Sequence, residues 1–222
     1  MKKAKVDWLV LETTSHALAQ HRVWAVPYSV AVMTNITHEH LDYHKTFASY
    51  QAAKLKLFKG AGHAVVNKDL PYFDGINRAL PGVHFSTFSI DADSQLHPSR
   101  VKYLREKTKF AIGHVEYELP LPGKYNLYNA LAAMSVALIE GIAPTDIKRA
   151  LATFPGVPGR FETIENKRGI HALVDFAHTP GALTEILTTI KSQKSKTERL
   201  VIVFGAAAQR DESKRPLMGR VA

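Results

Sequence analysis

Glu12-Thr13-Thr14-Ser15-His16 sets a carboxylate, three hydroxyls and an imidazole in consecutive positions, directly after the apolar run Val6–Leu11. In open α/β sheets, ligands gather outside the carboxyl ends of strands, and this group of side chains suits a metal ion and a polar substrate there. A helix start capped by Thr13 or Thr14 accounts for the same residues equally well. A second cluster, Thr34–His44 (TNITHEHLDYH), follows another apolar run, Val30–Thr34, and carries His38, Glu39, His40 and Asp42, with His44 just beyond. These are ligands for a hard divalent cation, or groups that position a nucleotide. The H-E-x-x-H spacing of zinc proteases is absent, and a polar loop with capping residues is the plainer alternative. Lys54, in Ala52-Ala53-Lys54, falls in a helical pattern, where a lone lysine is ordinarily a solvated or snorkelling side chain.

Further along, Asn126 and Asn129 stand three apart at an expected helix start and place two amides on one face. Such amides can pair with an adenine edge, although Asn126 serves equally well as an N-cap. Gly123-Lys124 does not form a phosphate loop: Glu118 stands where the partner glycine belongs, and Tyr125 where a serine or threonine does. Arg160, within VPGRFE, and Asp175, at a strand end in VDFAHTP, are residue types that hold phosphate and ribose respectively. Phe204–Pro216 (FGAAAQRDESKRP) is a small-residue loop between an expected strand and helix, able to turn backbone N–H groups toward an anion.

The elements that must carry these groups alternate. Expected strands at Val6–Leu11, Val30–Thr34, Ala64–Asn67 and Val83–Ser86 are interleaved with helices over Thr14–Arg22, Ser49–Phe58 and Pro71–Ala79. Val101–Leu119 alternates polar and apolar residues around Gly113-His114, as an antiparallel hairpin does. A helix over Asn126–Ile142 and another from Pro144 precede the loop Phe154–Arg160. Then come strands Phe161–Ile164, Ala172–Asp175 and Leu200–Phe204, with helices Pro180–Lys191 and Ser213–Val221. This order predicts an α/β fold with a mostly parallel sheet and helices on both faces. PGVPG reads as a hinge, so a boundary near Arg160 divides the chain into 1–160 and 161–222. Both ends read as cut, one on a buried-strand pattern and one within a helix, which predicts exposed sheet edges and unfinished cores.

The bulk properties narrow the classes. The 222 residues are 45% hydrophobic and 22% charged, the composition of a soluble protein with a real core. No apolar run suits a membrane span and no signal peptide is legible, so a cytoplasmic location is expected. The chain has no cysteine, which excludes disulfides, thiolate metal sites and a cysteine nucleophile. A net charge of +9 implies an anionic partner: a nucleic acid, a membrane surface or a phosphorylated small molecule. The basic residues are scattered through KKAK, KLKLFK, KSQKSK and KRP with no recognised reading motif, which disfavours nucleic acid.

Taken in order, the motifs resemble the Mur ligases. ETTSHALAQHRV is similar to their E-V-S-S-H-x-L-x-x-x-R-V segment, TNITHEHLDYH to T-N-[IL]-x-x-[DE]-H-L-D-Y-H, and YQAAKLKLF to Y-x-x-A-K-x-x-L-F. GKYNLYNALAA resembles G-x-[FYH]-N-x-x-N-x-L-A-A, and VPGRFE, VDFAHTP and RDESKRPLMG resemble later blocks, the last two pointing to the branch that adds the third peptide residue. The resemblance covers nearly the whole chain, least clearly about Pro71–Lys109. It implies part of a central ATP-binding domain followed by the start of a Rossmann-like C-terminal domain. It implies Glu12 and His40 as Mg2+ ligands, with Lys54 carbamylated beside them, these three forming the catalytic centre. Thr14, Gln20 and Arg22 match positions that bind the UDP-N-acetylmuramoyl-peptide, and Asn126, Asn129, Arg160 and Asp175 match positions that hold ATP. The implied reaction is formation of an acyl phosphate from the peptide carboxylate, followed by its capture by an amino acid.

The sequence departs from the family pattern in several places. No G-T-x-G-K-[ST] phosphate loop precedes Glu12, and the D-N-P-R segment that would indicate the added amino acid does not occur. Activity of these residues alone is therefore not expected, and the remaining portions of the ligase are expected elsewhere, on another chain among the possibilities. Ala206–Gln209 replaces a more glycine-rich stretch, Gly181 stands where aspartate is common, and Thr13-Thr14 replaces a more usual Val-Ser. The rival readings are a non-catalytic nucleotide or muramoyl-peptide binding module, and another Mur or folylpolyglutamate-type ligase.

Overall fold

Alternation along two strands sorts the centre of the fold into two faces. The computed structural model describes residues 5–36, 40–206, 212 and 214–222. In it, β1 (Val30–Met33), β2 (His63–Asn67) and β3 (Phe85–Phe88) form a parallel sheet in the order β1-β2-β3. Successive strand side chains point to opposite faces. Val30, Val32 and Val65 therefore join Leu127, Leu131 and Met134 of helix α5 (Lys124–Ile139) in one core. Ala31, Met33, Ala64 and Val66 face the other way, onto Tyr50 and Phe58 of the segment from α3 (Phe47–Leu55) through a 3-10 turn (Lys56–Phe58) and onto Ile76 of α4 (Phe73–Arg78). Burial on both faces is why these strands read as continuous apolar runs.

The helices start and stop for local reasons. Thr14 caps α1 (Ser15–Ala19) by accepting from the Ala17 N–H, and Thr46 caps α3 by accepting from Ser49. Helix α2 (Leu41–His44) lies between them. Gly141, at φ +77°, sits just past the end of α5 in the left-handed conformation that halts helices. Pro144 opens α6 (Pro144–Ala152), and Thr179 caps α7 (Pro180–Gln193) with Pro180 in its first turn.

Two antiparallel sheets accompany the parallel one. β4 (Ser99–Tyr103), β5 (Thr108–Ile112) and β6 (Val115–Leu119) make the expected hairpin, turning at Gly113, with one strand more. β7 (Glu162–Ile164) and β8 (Ala172–Val174) pair with each other. Beside them α7 and α8 (Lys214–Val221) bury Leu183, Ile186, Leu187 and Met218 with Phe161. Tyr125 of α5 packs against this third core, and Arg105 and Leu104 reach Glu198 and Gln193 across the same junction.

Two expected strands do not form. Val6–Leu11 and Leu200–Phe204 belong to no sheet among the described residues, and Val10 and Val203 are 97% and 95% exposed. A strand exists only against a neighbouring backbone, and neither run has one among the described residues. β3 starts two residues later than the sequence predicts, after the turn at Gly82 (φ +77°). His38, Glu39 and most of the Ala207–Ser213 loop, both singled out above, lie outside the described residues. Among those described, no helix is long and apolar enough to cross a membrane.

Candidate functional site

The β1 edge of the sheet, the residues that follow it and the segment before α1 enclose a cavity of about 470 Å3, lined by Glu12, Thr13, Thr14, Asn35, His40, Tyr50 and Lys54 among others. Three separate stretches of sequence thus deliver Glu12, His40 and Lys54 to one space. Glu12 and Thr14 arrive on the extended segment that ends at the cap of α1. His40 precedes α2, its carbonyl accepting from the Tyr43 and His44 N–H groups. Its φ of +60° is a left-handed conformation that few non-glycine residues adopt, a local strain of the kind concentrated at functional sites. Lys54 comes from the last turn of α3, its Nζ donating to the Asn35 carbonyl at 3.3 Å and lying 5.5 Å from the Tyr50 ring centre.

Rings fill the space behind this wall. His16 and His40 pack edge to face at 5.0 Å, and the buried Tyr50 ring meets both His40 (5.9 Å) and His44 (5.4 Å). His44 is itself buried, and its Nε2 pairs with Ser15 Oγ at 3.0 Å. Burial, with the neighbouring His16 and His40, holds its imidazole below the usual histidine range. Thr13 Oγ1 lies 2.9 Å from the Tyr28 hydroxyl, which pins the Glu12 segment to the start of β1. Among the described residues no three Asp, Glu, His or Cys side chains converge to hold a metal ion by themselves.

The other candidate residues fall elsewhere. Gln20 and Arg22 are exposed beyond α1, Gln20 donating to the Tyr43 hydroxyl at 3.4 Å. Asn126 does not cap α5, which begins at Lys124; its buried amide donates to the Pro122 carbonyl at 2.8 Å, while Asn129 is exposed. Arg160 stacks over the Phe176 ring at 4.6 Å, and the neighbouring Asp175 carboxylate accepts from the Phe161 and Ala177 N–H groups, each at 2.8 Å. Asp175 lines a second cavity, of about 730 Å3, between α7, β8 and Leu200–Gly205. Tyr125 joins the two regions: its ring lies 6.5 Å from Phe161, and burial together with the Asp175 charge pushes its phenol far up. Sequence reasoning gave no role to Tyr28, to the Ser15–His44 pair or to Tyr50, although Tyr50 opens the YQAAKLKLF segment. A helical tyrosine carries no signal of its own, whereas the histidine density of the second cluster was a visible cue.

A parallel sheet packed by helices on both faces, with Glu12, His40 and Lys54 around one cavity beside β1, defines an open α/β protein with a cavity of the size that holds small ligands. The chain belongs to the Mur ligase family: the model of the Mur ligase middle domain matches residues 1–137, and that of the Mur ligase, glutamate ligase domain, matches residues 159–222. It is 39% identical over 230 residues to a UDP-N-acetylmuramoyl-L-alanyl-D-glutamate–2,6-diaminopimelate ligase of Syntrophomonas wolfei, covering all of this chain and 46% of that protein. It is 33% identical to UDP-N-acetylmuramyl-tripeptide synthetase 2 of Oceanobacillus iheyensis, covering all of this chain and 47% of the relative. A solved UDP-N-acetylmuramoyl-L-alanyl-D-glutamate–2,6-diaminopimelate ligase superposes with a TM-score of 0.73 at 29% identity, over 99% of this chain and 47% of the other. MurF from Acinetobacter baumannii, at 22% identity and a TM-score of 0.66 over 75% of this chain and 38% of the other, shares the fold. The chain spans about half the length of these relatives.

Proposed function

We propose that this chain supplies part of the active site of an ATP-dependent, ADP-forming ligase of peptidoglycan precursor synthesis, which adds the third amino acid to UDP-N-acetylmuramoyl-dipeptide. The observation that carries the reading is the shared cavity of Glu12, Thr14, His40 and Lys54. Residues 1–160 then form part of the central ATP-binding domain and 161–222 the start of the C-terminal domain, with the rest of the ligase supplied in the same polypeptide or on another chain.

The donor set fits Mg2+ on one condition. Glu12 and His40 give one carboxylate and one imidazole, and an ammonium on Lys54 would repel a cation. Carbamylation turns that amine into a carboxylate and adds the hard oxygens Mg2+ prefers. When bound, Mg2+ offsets the negative charge gathered between phosphate and carboxylate. The Asn35 carbonyl and the Tyr50 ring hold the Lys54 Nζ in place. Thr14 and the exposed Gln20 and Arg22 bind the anionic muramoyl-peptide, Arg22 through its fixed charge. Asn126, whose amide also bonds the Pro122 carbonyl, and Asn129 would hold the base of ATP, and Arg160 and Asp175 its phosphate and ribose.

In the first step an oxygen of the peptide carboxylate attacks the γ-phosphorus and ADP departs. In the second, the amine of the incoming amino acid attacks the acyl carbon, loses a proton and releases phosphate. Positioning and charge neutralisation supply most of the rate in such transfers, and these are what the cavity residues contribute. These 222 residues contain no phosphate loop, so we expect no ADP release from them alone.

Calorimetric titration with UDP-N-acetylmuramoyl-dipeptide tests the reading. Binding by the wild type, weakened roughly tenfold or more by Arg22→Ala through loss of a charge-assisted contact, supports it. A wild-type protein that leaves the dipeptide unbound at millimolar concentration overturns it.

A further inference from the structure

Two buried polar side chains have no role in the chemistry set out above. Ser15 and His44 are 1% and 8% exposed, and each is the other's hydrogen-bond partner at 3.0 Å, 29 residues apart in sequence. Their places in the chain give the pair its meaning. Ser15 opens α1, directly after Glu12-Thr13-Thr14, whereas His44 closes α2, directly after His40. These helices have five and four residues, far below the length at which a helix holds its own conformation. Where they sit must therefore be set by contacts between them and with α3. The His44 ring is packed by Tyr43 at 4.8 Å, Tyr50 at 5.4 Å and His16 at 5.5 Å, and the same Tyr50 ring meets His40 and Lys54. One imidazole thus joins the segment bearing Glu12 to those bearing His40 and Lys54.

We propose that His44, through Ser15, is a positioning residue that sets the separation of Glu12 from His40 across the cavity, and so sets the affinity of the cavity for a divalent cation. The proposal rests on the reading of Glu12 and His40 as cation ligands. A hydrogen bond between two buried groups is directional, so it fixes the approach of α1 to α2 more closely than apolar contact alone. Partners that orient the residues around a metal in this way typically change its affinity by about 10- to 100-fold when removed.

The test uses the 222-residue protein and Mn2+ as a paramagnetic probe, read as broadening of the His40 ring resonance in NMR spectra. His63 and His84, at the opposite ends of the strands, serve as internal references. Ser15→Ala and His44→Phe each remove the bond while keeping the space filled or nearly so. Both are expected to raise the Mn2+ concentration for half-broadening by about tenfold, and His44→Gln, which keeps a polar group, is expected to recover most of that loss. A merely structural pair would lower the melting temperature of Ser15→Ala and leave the Mn2+ midpoint unchanged, and that result overturns the proposal alone. Absence of selective His40 broadening in the wild type overturns the cation reading, and the proposal with it. Should His44→Phe fail to fold, Ser15→Ala decides, since it removes one hydroxyl and nothing else.

Discussion

The Tyr128 hydroxyl donates to Asp69 Oδ2 at 2.7 Å, joining the loop after β2 to the helix that carries Asn126 and Asn129. The same carboxylate accepts from the backbone N–H groups of Ile90, Asp91 and Ala92, so it also fixes the loop after β3. Asp69 therefore ties both strand ends to α5, one residue from the amide expected to face a nucleotide.

This clamp should be visible in stability and in its dependence on pH. Burial pushes the Asp69 carboxyl upward, but the bonds from Ile90, Tyr128, Asp91 and Ala92 outweigh it and hold the group below its ordinary value of 3.8. A carboxylate depressed in the folded state contributes stability that is complete above its unfolded value and is lost as pH falls through the lower folded one. We expect Asp69→Asn to cost about 1.5–3 kcal/mol at pH 7 and Tyr128→Phe about 1 kcal/mol, by urea denaturation. The Asp69→Asn deficit should shrink as the pH is taken below 3.8; a deficit that stays constant into strong acid removes the carboxylate from the account.

Gly123 has little capacity to accept a side chain. At φ +96° and ψ 149° it adopts a conformation nearly confined to glycine, and an added Cβ would lie 2.9 Å from Thr189 Oγ1 and 3.0 Å from Tyr125 Cε1. The backbone strain alone amounts to about 1–3 kcal/mol. Gly123→Ala should lower stability by at least this much, and adding Thr189→Ala should restore only the steric part. Full recovery in the double variant would show that the conformation is not strained.

Phe58 links the core to the site. It is fully buried at the end of the 3-10 turn that continues α3, four residues after Lys54. Phe58→Ala should cost about 3–5 kcal/mol, whereas Phe58→Leu, which leaves a smaller void, should cost clearly less. Thermal unfolding of the two variants checks the order.

Lys54 can be tested without turnover. Equilibrated with 13C-bicarbonate, the wild-type protein should show a carbamate carbon resonance that Lys54→Ala and Lys54→Arg lack. A resonance that survives both substitutions would place the modification on another amine.

Much of the fold was legible because burial and chain period agree. The apolar β1 and β2 runs, the alanine-rich α5 and the turn at Gly113 each follow from side-chain pattern alone. Val6–Leu11 and Leu200–Phe204 carry the same kind of pattern, yet form no strand among the described residues. Composition sets a preference for pairing, but hydrogen-bonded neighbours must supply it. At the site, the acidic and imidazole clusters were visible from residue type. The roles of Tyr50, Tyr28 and the Ser15–His44 bond were not, because they come from separations in space across 15 or 29 residues of chain. Asn126 read equally well as a cap or a ligand; it caps no helix, and its amide nitrogen donates to the Pro122 carbonyl.

The turn between β4 and β5 grips the end of α7 and the stretch after it at two points, the Leu104 carbonyl on Gln193 and Arg105 on Glu198. A single attachment would act as a pivot, but two spaced along the same stretch resist torsion as well as separation. Any swing of the last third of the chain against the antiparallel sheet must break both together. Because the ion pair is largely open to solvent and screened by salt, rising ionic strength loosens one of the two anchors and leaves the amide bond as an axle.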